Sequence, residues 1–179
     1  SDNRDYERVP YAFGFRDRTS ENLDFVLISV HLKPGDSSAS AARRKHELAS
    51  IHEWIDDHDE VEKDFIILGD MNIEDAEELS LAMPADYQSL NAACLQTNTN
   101  VNGPKPYDHV MVHGLHTTEV DSGFGFLVID LLDQMASHWD SDNGAYPGRS
   151  PYVHNTFRQY YSDHHPVVFR LDTTEADDD

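Results

Sequence analysis

Basic side chains are scarce in this sequence. Thirteen Lys and Arg stand against 34 Asp and Glu, for a formal net charge of −21. Lysine is confined to Lys33, Lys45, Lys63 and Lys105. A protein that gains its affinity by neutralising many phosphates carries a broad basic face, and this composition cannot furnish one. Two readings of the charge stay open. Dense carboxylates keep a surface solvated at high salt, where screening removes their mutual repulsion; or a basic surface lies on a segment outside the sequence. Cysteine is nearly absent. Cys94 is alone, which excludes a disulfide within the chain and agrees with a reducing compartment. No apolar run approaches the roughly 20 residues that span a bilayer. The sequence starts at Ser1, so any targeting segment is out of view and localisation stays open, secretion and a high-salt setting included. There is no internal repeat.

What is present is a soluble, globular composition, 39% hydrophobic over 179 residues, enough for one domain with a core. Phe25–His31 (FVLISVH) is apolar on both faces until its end and predicts a buried strand. Phe65–Gly69 (FIILG) is a shorter run of the same kind. Tyr107–His113 and Pro166–Leu171 predict two further strands, and Val9–Phe15 a weaker fifth. Between the first two, Pro34-Gly35 breaks the chain and Ser37, Ser38 or Ser40 can cap a helix. Ala41, Leu48, Ile51 and Ile55 then recur at helical spacing. Strand, helix, strand implies a right-handed crossover and two parallel strands ending at the same rim. Gln96 to Lys105 reads as a polar loop with a Gly-Pro turn. Residues 133–161 read mainly as a long loop with one helical turn near Leu131. The tail Asp172–Asp179 is acidic, nearly without apolar residues, and is expected to be disordered.

Polar residues gather at the expected strand ends. His31 closes the first strand. Asp70 and Asn72 follow the second, in Gly69-Asp70-Met71-Asn72. Asp108 begins a third, and Asp163 and His164 precede the last, in Ser162-Asp163-His164-His165-Pro166. If the later strands run antiparallel to the first pair, all share one edge. Carboxylates there can fix a hard divalent cation. An imidazole can take or give a proton, and a neighbouring carboxylate can orient it and stabilise its charged form. These are the parts that phosphodiester hydrolysis needs.

Five segments, in order, resemble motifs of the DNase I-like endonuclease/exonuclease/phosphatase superfamily. Gly69-Asp70-Met71-Asn72 is similar to its Gly-Asp-Phe-Asn motif. Ser162-Asp163-His164-His165-Pro166-Val167 is similar to its terminal Ser-Asp-His motif. His31-Leu32-Lys33-Pro34 resembles its first histidine segment, Tyr107-Asp108 its penultimate aspartate, and Tyr6-Glu7-Arg8-Val9-Pro10 the segment of a phosphate-contacting arginine. The resemblance covers about residues 6 to 171. It implies an α+β fold, a DNase I-like β-sandwich flanked by helices. Residues 1–171 would form its carboxy-terminal part and 172–179 an acidic tail. It also implies roles: His31, Asp70, Asn72, Asp108 and His164 catalytic; Arg8 and Asn72 binding substrate phosphate; Asp163 and Asp70 ligating Mg²⁺, or else Mn²⁺ or Ca²⁺. Asp108 and His164 would form a dyad, with His31 facing them. The family's amino-terminal half supplies an asparagine and a metal-binding glutamate that have no counterpart before Tyr6. The expectation is that this half is another chain, or a segment outside the sequence, or that this protein has another solution, and that its absence bares an apolar sheet face.

Each of these residues also has a plainer reading. An Asp after a strand is commonly a turn residue, a strand-end His is commonly structural, and an isolated Arg is commonly on the surface. His46, His52 and His58 lack the i, i+4 relation of helical metal pairs and are expected to face solvent. His113, His116, His138 and His154 have no ligand-like spacing. His109 and His165 should point away from their motif neighbours. Cys94 is expected to be buried, and Asp56–Glu60 to be a solvated helix end. Three functions then compete. The first is a Mg²⁺-dependent deoxyribonuclease acting on DNA. The second is an inositol-phosphate or phospholipid phosphatase or phosphodiesterase, a small or lipid substrate that the net charge favours. The third is a non-catalytic half-domain that pairs with a second chain.

Overall fold

A computed structural model describes residues 5–18, 24–60, 62–139, 146 and 153–172. The acidic tail beyond Asp172 lies outside the described residues. In chain order the elements are strands β1 (Tyr11–Arg16) and β2 (Asp24–His31), helix α1 (Ser38–Asp56), strand β3 (Phe65–Asp70), helix α2 (Ala76–Ala82), and strands β4 (Tyr87–Ser89), β5 (Asp108–His113) and β6 (Leu127–Val128). Helix α3 (Leu131–Met135) runs into a 3₁₀ turn (Ala136–His138), followed by helix α4 (His154–Tyr160) and strand β7 (Val167–Val168).

Five strands form a mixed sheet in the order β1-β2-β3-β5-β4, and β6 and β7 form a separate pair. β2 and β3 are parallel and β5 is antiparallel to β3, as the crossover through α1 requires. Ser37 caps α1, its hydroxyl accepting the Ser40 N–H. α1 and α2 cover one sheet face. Leu48, Ile51 and Ile55 pack there on Ile28, Val30, Phe65, Ile67 and Met111. On the other face Ile66, Val110 and Val112 are covered by Val120, Phe126, Phe169 and Leu171. Among the described residues that cover ends before β1, where Tyr11, Phe13 and Phe15 stay 66%, 52% and 48% exposed.

Several expectations need correction. Within 133–161 the described residues hold more helix than one turn near Leu131, namely the end of α3, the 3₁₀ turn and α4, while 140–145 and 147–152 lie outside the described residues. α3 and α4 are each anchored by one buried side chain, Leu132 and Phe157, too few to give a period. Pro166–Leu171 is not one continuous strand. Pro166 has no N–H to donate, Val167 and Val168 pair with β6, and Leu171 makes an isolated bridge to Val120. Ala41 is not in the core; Ser40, Arg44 and Glu47 take buried helix positions instead. Cys94 is only partly buried, at a left-handed φ of 50°. His46 and His58 are exposed, but His52 is half-buried and meets the Tyr87 ring edge-on at 5.6 Å.

Candidate functional site

The register of three strands builds the site. His31 pairs with Asp70 across β2 and β3, and Asp70 pairs with Asp108 across β3 and β5. Residues opposite each other in a sheet share a face, so the three stand abreast at one rim. Gly69 permits this closeness. Its φ is +138°, and a Cβ there would fall 2.1 Å from the Val30 carbonyl oxygen of β2. Beyond β3 the chain turns sharply. Asn72 adopts a left-handed φ of 52°, donates its N–H to Asp70 Oδ1 at 2.9 Å, and donates from Nδ2 to the Leu32 carbonyl at 3.2 Å. Met71 between them is fully buried and its N–H reaches the Tyr107 carbonyl.

His164 arrives from another segment, which lies along Thr97–Thr99. The Thr99 N–H donates to the Asp163 carbonyl and the His165 N–H to the Thr97 carbonyl. The Thr99 hydroxyl donates to the Ser162 carbonyl. Thr97 also accepts the Asp108 N–H on its hydroxyl at 2.9 Å, so one buried threonine ties Asp108 to the residue that follows His164. His164 Nδ1 lies 2.6 Å from Asp108 Oδ2. Its Nε2 lies 3.5 Å from Asp70 Oδ2, and His31 Nε2 lies 3.3 Å from the same oxygen. Asp70 thus sits between two imidazoles.

Electrostatics follow the geometry. The Asp108 hydrogen bond, against the opposing effect of burial, raises His164 to about 8. Burial pushes Asp70 above the ordinary carboxylate range, against the pull of His164 and of the Asn72 N–H. His109 faces the other way, fully buried with Nδ1 2.9 Å from the Ser89 hydroxyl, and burial lowers it to about 4. His165 likewise turns inward and accepts the Leu131 N–H.

Arg8 is exposed and its Nη1 donates to the Leu32 carbonyl at 3.3 Å, one residue past His31. Asp163 is exposed beside the row rather than in it. It lines a cavity of about 490 Å³ with His164, Asn98, Lys105, His154 and Arg158. Asn98 and Lys105 lie in the stretch expected to be a polar loop and Arg158 on α4 carries no sequence signal, while His154, also on α4, lacks ligand-like spacing in the sequence. The side chains present fit a cation only in part. A hard divalent ion takes six or more oxygens, and among the described residues no three His, Cys, Asp or Glu side chains are arranged to hold one.

No family model matches the chain, and no curated protein matches it. Solved structures do. An endonuclease/exonuclease/phosphatase family protein from Bacteroides thetaiotaomicron matches 88% of this chain with a TM-score of 0.55 at 15% identity, over 53% of its own length. A 3′-5′ exonuclease from Neisseria meningitidis matches 83% with a TM-score of 0.52 at 15% identity, over 61% of its length. A 3′ phosphatase from Neisseria, bound to a product DNA hairpin, matches 92% with a TM-score of 0.50 at 15% identity, over 72% of its length. The chain thus shares the α+β, DNase I-like fold of these structures and spans 53% and 61% of the length of the first two.

Proposed function

We propose that this chain carries the catalytic rim of a phosphodiester hydrolase, a DNase I-like deoxyribonuclease. One observation carries the reading: His31, Asp70, Asp108 and His164 from four separate segments converge, with Asp108 and His164 2.6 Å apart. Asp108 holds the imidazole by Nδ1 and leaves Nε2 facing the rim. With His164 raised to about 8, the imidazolium predominates at neutral pH. It then opposes the negative charge that builds on a pentacoordinate phosphorus; above pH 8 the free imidazole serves as a base toward water. His31 faces the phosphate from the other side of Asp70. Asn72 and Arg8 bind its oxygens, Arg8 with a fork suited to that geometry.

Metal dependence, on Mg²⁺ or else Mn²⁺ or Ca²⁺, is part of the reading. Asp163 and Asp70 would offer oxygens, and the remainder would come from elsewhere. DNA as the substrate is supported by the exonuclease and the DNA-bound phosphatase among the similar structures. The net charge of −21 favours a second reading, a compact substrate such as an inositol phosphate or a lipid head group. Plasmid nicking and phosphate release from inositol phosphates, each with Mg²⁺ and with EDTA, separate the two. Hydrolysis of neither substrate by the natural protein refutes the enzyme and leaves the third reading, a half-domain that pairs with another chain.

A further inference from the structure

Two charged side chains of α1 are sealed behind the rim: Arg44 and Glu47 are each 1% exposed. Glu47 accepts the Glu7 N–H on Oε1 at 2.7 Å and the Lys33 N–H on Oε2 at 2.9 Å. Arg44 donates from Nη1 to the carbonyls of Lys33 and Gly35 at 2.8 and 2.7 Å, and from Nε to Glu78 Oε1 at 2.6 Å. Glu78 Oε2 in turn accepts the Glu74 N–H. Both backbone groups of Lys33 are therefore held by buried charges from one helix.

Burying a carboxylate is costly, and a well-packed apolar residue commonly serves stability as well or better. The location of the two accepting oxygens gives the carboxylate another use. Glu7 adjoins Arg8, and Lys33 is two residues past His31. One rigid carboxylate spans both segments, one oxygen to each. Between them lies the Leu32 carbonyl, which takes both Arg8 Nη1 and Asn72 Nδ2.

We infer that Glu47 is a positioning residue: its carboxylate fixes the Arg8 segment relative to the His31 segment, so that the guanidinium meets a phosphate held at the rim. Arg44 locks the loop that follows. The inference takes the phosphate from the function proposed above. Glu47→Gln is the isosteric test, because it keeps one acceptor oxygen and turns an NH₂ toward the other N–H. With the substrate that the protein hydrolyses, Glu47→Gln should raise KM about tenfold at unchanged kcat, the scale of one lost charged hydrogen bond. In an Arg8→Ala background the same change should add less than about twofold, since two residues acting through one contact are not additive. A helix-packing role alone would lower the melting temperature and leave KM as it is. An unchanged KM in folded Glu47→Gln, or fully additive effects with Arg8→Ala, would overturn the inference. If the wild type hydrolyses nothing, the functional reading falls separately and amide exchange decides. The Glu7 and Lys33 amides should exchange slowly in the wild type and faster together in Glu47→Gln, while those of Ile66, Ile67 and Leu68 hold. Equal exchange at Glu7 and Lys33 in both proteins overturns it.

Discussion

At the scale of single residues the site rests on the contact between Asp108 and His164. The pair gives the imidazole a folded value of about 8 against an ordinary 6.5. A histidine raised on folding stabilises the protein fully below its unfolded value and loses that contribution as pH climbs through the folded one. For this shift the contribution is about 2 kcal/mol. Urea midpoints should therefore fall between pH 6.5 and 8, and Asp108→Asn should flatten that slope. An imidazole titration by NMR should show the same variant moving His164 down toward 6.5, because burial is then opposed only by the charges of Asp70 and Asp163. Activity should fall about a hundredfold or more in Asp108→Asn, the scale of lost acid–base assistance. A rate unchanged over pH 6 to 9 would remove the dyad from the chemistry.

At the scale of elements, the parallel placement of β2 and β3 depends on Gly69. Its φ of +138° is one that L side chains rarely adopt, and the space a Cβ needs is already filled by the Val30 carbonyl. Gly69→Ala must push apart the two strands that carry His31 and Asp70. We expect a loss of roughly 2–4 kcal/mol, combining backbone strain and broken packing, read from urea unfolding; stability equal to the wild type would show that the close approach is dispensable. The apolar runs that became β2 and β3 were plain in the sequence, as was α1, because burial on both faces leaves a continuous signal. The rim residues were legible from their order along the chain. Their register was not, since pairing His31 with Asp70 and Asp108 is a property of three strands together. β4 has three residues, too few for a period. α2 did leave a sign in Asp75 and Glu78, an acidic cap and a residue three positions on, with Asp75 accepting the Glu78 N–H. Arg44 and Glu47 were hidden for a different reason. On a helix they read as solvent-facing, and their partners exist only once the chain after His31 has folded back over α1.

At the scale of the whole molecule, two features oppose each other. Tyr11, Phe13 and Phe15 line one face of an edge strand and remain about half exposed or more. Their rings continue onto β2, where Phe15 stacks on Phe25 at 5.3 Å. A contiguous aromatic strip on an edge strand invites a partner surface. A net charge of −21 resists any such contact between two copies. Charge repulsion is screened over about 8–10 Å at physiological salt and about 3 Å at 1 M, whereas salting-out ions strengthen apolar burial. Self-association of the isolated chain should therefore rise with salt. Light scattering at about 50 mM and 1 M salt, spanning weak to strong screening, should show monomers first and a dimer or larger species second. The triple substitution Tyr11→Ser, Phe13→Ser, Phe15→Ser should hold the chain monomeric at both, and dye binding to exposed apolar surface should fall with it. Association that weakens as salt rises would mean that the contact is ionic and that the strip is not its seat. A wild type that stays monomeric in 1 M salt and binds no dye would mean that the strip is already covered by other parts of the same chain.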